Sequence, residues 1–334
     1  MKHILVIGCG SIGKRHIRNY KSLGCKVSAV DPRKDRLDEA KEAGAQITSI
    51  NMETIIKLAR LDVDGAVIAT PPKFHYQQVL DLIEYDIPIF LEKPGTKYLL
   101  ESKAIAAQPK FNPDKLLLGY CYRWWPSIIK LREYLQNGKI GQPLSANMII
   151  SAHIEDWHPW ENYKDWFLAN KDLGGGALLD ENHFVDLMVW FWGMPKAVKA
   201  DLSTLGGFDI DVENNCEIIF IYDGFRVVMH LDMLARPHEK RIDIRGNNGT
   251  LHWGTLLDYT SNWIDYNNTK EWKLSEHDYF KFDRNDMFIS EAQEFLNIID
   301  GNMKPSCTLE DGMKVLRLVE ACKESSDKGT IIYV

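Results

Sequence analysis

A short β-forming run, His3 to Ile7, breaks into Gly8-Cys9-Gly10-Ser11-Ile12-Gly13. Apolar residues at helical spacing follow at once, Ile17, Tyr20 and Leu23, with Gly24 as the stop. Few segments restrict a fold as tightly. Glycines at this spacing let the backbone turn sharply out of a strand and into a helix, whose start offers unsatisfied N–H groups and a positive dipole end. The next strand-like run, Val27-Ser28-Ala29-Val30-Asp31, ends in an acid at the distance expected of a βαβ unit that holds a dinucleotide. Gly8, Gly10, Ser11, Ile12 and Gly13 are therefore expected to line a pyrophosphate. Asp31 is expected to accept hydrogen bonds from the adenosine ribose, which favours NAD. Arg33, two residues on, could pair with a 2′-phosphate and keeps NADP open.

The rest of the first third continues the alternation. Helices are predicted at residues 36–43, closed by Gly44, and at 53–59. A buried strand over 63–69 then runs into Thr70-Pro71-Pro72, and Tyr76, Val79, Leu80 and Ile83 give the next segment one apolar face. Ile87-Pro88-Ile89-Phe90-Leu91 reads as a further buried strand leading into Glu92-Lys93-Pro94-Gly95. Such alternation implies a doubly wound, mostly parallel sheet, with its ligand outside the carboxyl ends of the strands. Gly8, Asp31, Thr70 and Lys93 all fall at such ends, so Lys93 is expected to face the cofactor. A lysine ending a buried run suits general acid–base work, because burial lowers an amine's pKa; Glu92 beside it pulls the other way.

At 334 residues the chain exceeds the usual single core, and residues 116–120 read as the last strand of a first domain. The expected division is 1–122 for the dinucleotide and 123–334 for substrate binding and oligomerisation. A net charge of −7 gives no basic footprint for nucleic acid. No apolar run nears the ~18 residues of a membrane helix, and the N-terminal apolar run is too short for a secretory signal. Six cysteines lie scattered without a C-x-x-C pair, which points to a reduced cytoplasmic protein with no metal cage.

Beyond residue 122 the most unusual composition is Trp157-His158-Pro159-Trp160-Glu161-Asn162-Tyr163 through Trp166. Rings beside hydrogen-bonding groups suit a pocket for a polyhydroxylated ring, and equally suit core or interface packing. Gly174-Gly175-Gly176 leads to a helix expected to carry Asp180, His183 and Asp186 and to end at Gly193. At ~100° per residue, Asp180 and His183 would lie roughly 60° apart on one helix face. A histidine beside an acid can relay a proton or orient a hydroxyl, and can also be a structural hydrogen bond. Without a third His or Cys nearby, a metal is disfavoured. Strands are predicted at 142–152, 213–222, 225–234 and 240–245, with hairpin turns at Asp223-Gly224 and around 246–249. An antiparallel sheet of this kind needs one face covered, here by helices near 287–299 and 309–322, and leaves the other to pair with a second subunit.

With these residues in view the chain resembles the Gfo/Idh/MocA oxidoreductases, the family of glucose–fructose oxidoreductase and inositol dehydrogenase. The matching landmarks are the Gly8–Gly13 turn, Ala69-Thr70-Pro71-Pro72 with His75, Glu92-Lys93-Pro94, Tyr120-Cys121-Tyr122-Arg123 before Pro126, Asn137-Gly138-Lys139-Ile140-Gly141, and the Gly174–Gly176 run leading to His183 and Asp186. The likeness covers nearly the whole chain. It implies a Rossmann domain followed by an α/β domain whose open, mostly antiparallel sheet serves oligomer contacts, giving a homodimer or homotetramer, and a cis Lys93–Pro94 peptide. It implies hydride transfer between NAD(P) and a sugar-type hydroxyl/carbonyl pair, with Lys93 and His183 catalytic. Relatives place an aspartate four residues before the histidine, where this chain has Leu179; Asp180 is one residue out of step, and Asp186 is the alternative partner. Pro71, His75 and Glu92 join the cofactor set, and Arg123, Trp160, Tyr163 and His183 are expected substrate contacts. The His158-Pro159-Trp160…Tyr163 segment looks like a branch tied to surface-sugar biosynthesis, pointing to an amino sugar or nucleotide sugar. Two other activities stay open: a hydrolase or epimerase using NAD without net redox, and a dinucleotide-sensing binding protein.

Overall fold

The computed structural model describes residues 1–51, 63–157, 159, 161–255, 261–268 and 275–334. The helix expected at 53–59, together with His158 and Trp160, lies outside the described residues. The chain divides into two compact units: residues 1–121 with 288–313, and residues 122–287 with 314–334.

The first unit runs β1 (His3–Ile7), α1 (Ser11–Ser22), β2 (Lys26–Val30), α2 (Lys34–Ala43), β3 (Ile47–Ser49), β4 (Gly65–Ile68), α3 (Pro72–Ile83), β5 (Ile89–Glu92), α4 (Leu99–Ala106) and β6 (Leu116–Gly119). Among the described residues these strands form one six-stranded parallel sheet in the order β3-β2-β1-β4-β5-β6. Every residue of β1, β4, β5 and β6 is buried, as a sheet with helices on both faces requires. The doubly wound expectation holds, and the strand order reverses at β1, which places Gly8 at the switch point where such sheets bind ligands. Residues 288–313 complete this core. Phe295 meets Phe90 and Tyr20 edge-on at 5.8 and 6.4 Å. A Cβ on Gly65 would stand 2.7 Å from Ile299 Cδ1.

The second unit contains α5 (Pro126–Gln136), β7 (Pro143–Ser151), α6 (Ala177–Asp180), α7 (His183–Trp192), β8 (Ala197–Ser203), β9 (Asn215–Ile221), β10 (Arg226–Asp232), β11 (Glu239–Gly246), β12 (Thr250–Thr255), β13 (Ser261–Asn267), β14 (Glu276–Lys281) and β15 (Ile332–Tyr333). The two long closing helices, α8 (Arg284–Ile299) and α9 (Leu309–Lys328), are divided between the units. Among the described residues the strands form one nine-stranded sheet, β14-β13-β12-β11-β7-β10-β9-β8-β15. Every neighbouring pair is antiparallel except β7 and β10. The expected open, mostly antiparallel sheet is present. Alternation is clear at the start of β10, where Val227 and Met229 are buried while Arg226 and Val228 are exposed. Helix α5 covers part of one face: Trp253 Nε1 donates to Ser127 Oγ at 2.8 Å, and the Trp125 and Trp253 rings meet at 5.4 Å.

One sequence expectation needs correction. Asp180 and His183 do not share a helix, because α6 ends at Asp180 and α7 starts at His183. Glu181 (φ −88, ψ 15) and Asn182 (φ −62, ψ 0) unwind the chain between them, so a continuous 100° step cannot relate the two side chains.

Candidate active site

The glycine turn is fixed by close packing at two positions and left open at the third. Gly8 has φ +92, and a Cβ there would lie 2.7 Å from the Ala69 carbonyl oxygen; at Gly13 it would lie 1.9 Å from the Gly8 carbonyl oxygen. A Cβ on Gly10 would meet nothing nearer than the tip of Arg36 at 3.9 Å. Gly10 is also the N-cap of α1, which has no side-chain cap and no acid in its first turn. The first N–H groups of α1, at Ser11, Ile12 and Gly13, thus keep the positive field that a pyrophosphate needs. This cradle fits a dinucleotide.

Asp31, nearly inaccessible, accepts the Cys9 N–H at 2.8 Å and the Arg33 N–H at 2.9 Å. One carboxylate therefore pins both the glycine turn and the turn after β2. The Arg33 guanidinium grips Asp35, so a 2′-phosphate would compete with a carboxylate already in place. Burial, with Asp31 alongside, pushes the Cys9 thiol up to about 12, which removes it as a nucleophile.

Lys93 follows β5 directly, is half-buried, and enters a cis Lys93–Pro94 peptide. The fully buried His75 ring spans the loops after β4 and β5: Nδ1 lies 2.9 Å from the Pro94 carbonyl oxygen and Nε2 2.8 Å from that of Thr70. Burial holds the His75 pKa below its ordinary value against the pull of those carbonyls, and a neutral ring donates to only one of them at a time. Thr70 Oγ1 in turn donates to Gln78 Oε1 at 2.6 Å, and Pro71 caps α3. Glu92, also buried, accepts from His16 Nε2 at 2.7 Å. His16, Glu92 and Glu291 bring ligand-capable atoms within 4.8 Å of one another. Neither His16 nor Glu291 stood out in the sequence, although an acid within the apolar stripe of Phe288, Ala292 and Phe295 was a visible anomaly.

In the second unit, His183 opens α7 and stacks on Tyr122 at 4.3 Å with 17° between the rings. One turn on, Asp186 accepts two bonds from Arg123, Nε to Oδ2 at 2.9 Å and Nη2 to Oδ1 at 2.6 Å, with both residues buried. The guanidinium also faces the Trp190 ring at 5.7 Å. Arg123, Tyr122, His183 and Asp186 are thus one cluster, while Asp180 ends the separate α6. Tyr163 packs edge-on against Phe208 at 5.6 Å, as does Trp157 against Trp166 at 5.8 Å. Much of the aromatic segment therefore serves packing.

Comparison with known proteins finds relatives across most of the chain. A family model described as an oxidoreductase family with an NAD-binding Rossmann fold matches residues 2–119, and one for the GFO/IDH/MocA C-terminal domain matches residues 128–252. A myo-inositol 2-dehydrogenase of Thermotoga maritima is 25% identical over 334 residues, spanning 97% of this chain and 96% of that protein. The fold is shared with a levoglucosan dehydrogenase solved with NADH and L-sorbose (TM-score 0.87, 20% identity, all of this chain and 99% of that one). It is shared too with the WlbA dehydrogenase of Bordetella pertussis, solved with NADH and UDP-GlcNAcA (TM-score 0.81, 21% identity, all of this chain and 98% of that one).

Proposed function

The chain belongs to the Gfo/Idh/MocA family of NAD-binding oxidoreductases, and from that premise we propose that it oxidises or reduces one CH–OH carbon of a sugar, amino sugar or nucleotide sugar. NAD, when bound, supplies the hydride acceptor or donor. Lys93 takes or returns the hydroxyl proton, and the observation that carries this role is its place at the carboxyl end of β5, in the same row as Gly8, Asp31 and Thr70. His75 and Glu92 keep that row in register. Asp31 selects NAD by accepting from the ribose.

His183 is the second proton-handling group, its ring fixed by the Tyr122 stack. Asp186 and Arg123 act together to hold α7 and that stack, and Asp180 is the remaining candidate partner for His183. Tyr163 and Trp160 are the proposed sugar contacts. The inositol and levoglucosan dehydrogenases among the relatives, and the nucleotide sugar in a neighbouring structure, define the substrate panel. Of the expected 123–334 division, residues 288–313 belong to the first unit; we further assign the second unit to substrate binding and to a homodimer or homotetramer through the open face of the nine-stranded sheet, where Ile219 and Val228 are 42% and 41% exposed. Six free, buried cysteines fit the reducing cytoplasm.

The test is Lys93→Met, assayed for NADH formation across cyclitols, anhydrosugars, amino sugars and nucleotide sugars. Turnover is expected to fall about 10²–10⁴-fold, the usual worth of a general acid or base, with NAD affinity kept. Undiminished turnover would reject the role of Lys93. Substrate conversion by the wild type without NADH would instead favour a hydrolase or epimerase that uses NAD transiently.

A further inference from the structure

Glu291 is a carboxylate set among Phe288, Ala292 and Phe295 on α8. It is fully buried, and neither of its oxygens has a hydrogen-bond partner among the described residues. It does have neighbours. Its cluster with Glu92 and His16 is closed, with all three side chains buried, and only the His16–Glu92 pair is joined directly. Tyr20, stacked against His16 at 6.2 Å, adds a buried hydroxyl that likewise has no partner among the described residues.

We propose that Glu291 is a positioning residue for Lys93, acting through Glu92 and His16. The proposal rests on Lys93 being the proton-exchanging group. Two buried carboxylates this close cannot both carry charge. Glu92 already accepts from an imidazole, His16 Nε2 at 2.7 Å. Glu291 has none, and burial, reinforced by Glu92 and Glu294 and only partly opposed by Arg15, pushes its carboxyl well above the usual range. Glu291 is therefore a neutral acid with an O–H to give, and Glu92 is an acceptor that can be held from two directions. A Glu92 side chain fixed in this way fixes the end of β5, and the next residue in the chain is Lys93.

A cation is the other means of satisfying one imidazole and two carboxylates. The hydrogen-bond contact between His16 and Glu92, and the Phe90 ring 4.9 Å from that of His16, favour a shared proton over an ion that needs four or more ligands.

The experiment compares full-length wild type, Glu291→Leu and Glu291→Gln with NAD and the best substrate of the panel. Leucine removes an unpaired buried carboxyl and should leave the protein folded. Glu291→Leu is expected to keep NAD affinity within about twofold while kcat drops about tenfold or more, with a larger solvent deuterium isotope effect on kcat. Glu291→Gln, whose carboxamide can still donate to Glu92, is expected to recover at least about half of the lost kcat. A raised carboxyl pKa also lowers folding stability as pH rises above the unfolded value near 4.5. Wild type should therefore lose unfolding midpoint relative to Glu291→Gln across that range.

Unchanged kcat in Glu291→Leu overturns the proposal, as does a Gln variant no better than Leu. Stoichiometric divalent metal in wild type that is lost from Glu291→Leu makes the cluster a cation site and also overturns it. Should Glu291→Leu fail to fold, parallel pH–stability curves for wild type and Glu291→Gln would be decisive against it. An inactive Lys93→Met beside a fully active Glu291→Leu rejects Glu291 alone, whereas an active Lys93→Met removes the premise.

Discussion

Asp186 holds two of the five N–H groups of a guanidinium that is itself buried, so its value shows best when it is removed. Asp186→Asn leaves the Arg123 charge in the interior against a neutral amide, and breaking a buried pair in this way costs about 3–5 kcal/mol. Denaturant unfolding should show that loss, together with reduced turnover as the His183 stack loosens; a change below about 1 kcal/mol would place the pair among weak surface bridges instead. Both residues were visible in the sequence as candidates, but their pairing was not, because 63 positions separate them. Lys93 and His183 stood out through their motifs. Glu291 did not, since only the folded core shows that its carboxyl lacks a donor.

At the scale of elements, the turn between β1 and α1 separates two uses of glycine. Gly13→Ala drives a methyl into the Gly8 carbonyl oxygen and should destabilise the protein by about 3 kcal/mol or more. Gly10→Ala meets almost nothing in the protein and should leave stability equal or higher by about 0.4–1 kcal/mol. It should nevertheless weaken NAD binding roughly tenfold, because the backbone can no longer approach a pyrophosphate. Calorimetry and cofactor titration of the two variants check both halves; equal behaviour would contradict the assignment. This turn was legible because glycine spacing and strand–helix order are local signals. The break between α6 and α7 was not, since Glu181 and Asn182 carry no Pro or Gly to mark it. Strands β8, β13, β14 and β15 were also unanticipated. In β14 the sequence Glu276-His277-Asp278-Tyr279-Phe280-Lys281 has mostly exposed side chains, so pairing with β13 makes it a strand where hydrophobic alternation does not.

For the molecule as a whole, pH dependence should be set largely by a network across the central strands of the large sheet. His230 is bonded to Asp232 and Glu217, and Asp232 also accepts from Ser151 and from the Leu234 and Ala235 N–H groups. The Asp232 bond, against the opposing effect of burial and with help from Glu217, raises the His230 pKa from 6.5 to about 9. Burial alone would raise Asp232, yet its donors hold it down from 3.8 to about 2. The histidine contribution is full below pH 6.5 and lost as pH rises through 9; the aspartate contribution is full above pH 3.8 and lost as pH falls through 2. His230→Gln should thus cost most stability between about pH 4 and 6.5 and converge on wild type above about pH 9. Thermal melts across that range check the sign, and a gap that widens with alkali would refute it. The doubly wound and antiparallel sheets were legible in outline because each has its own hydrophobic period. The chain's late return to the first sheet was not, because nothing local in residues 288–313 distinguishes a helix that serves one core from a helix that serves another.

That return has a consequence for biosynthesis. Phe295 and Ile299 seal faces of Tyr20, Phe90 and Gly65 that were translated some two hundred residues earlier. A nascent Rossmann half must wait on the ribosome with those faces bare until residues 288–313 have emerged. An excised fragment ending at residue 122 would carry the same wound permanently, so the nucleotide module of this chain is not a transplantable cassette.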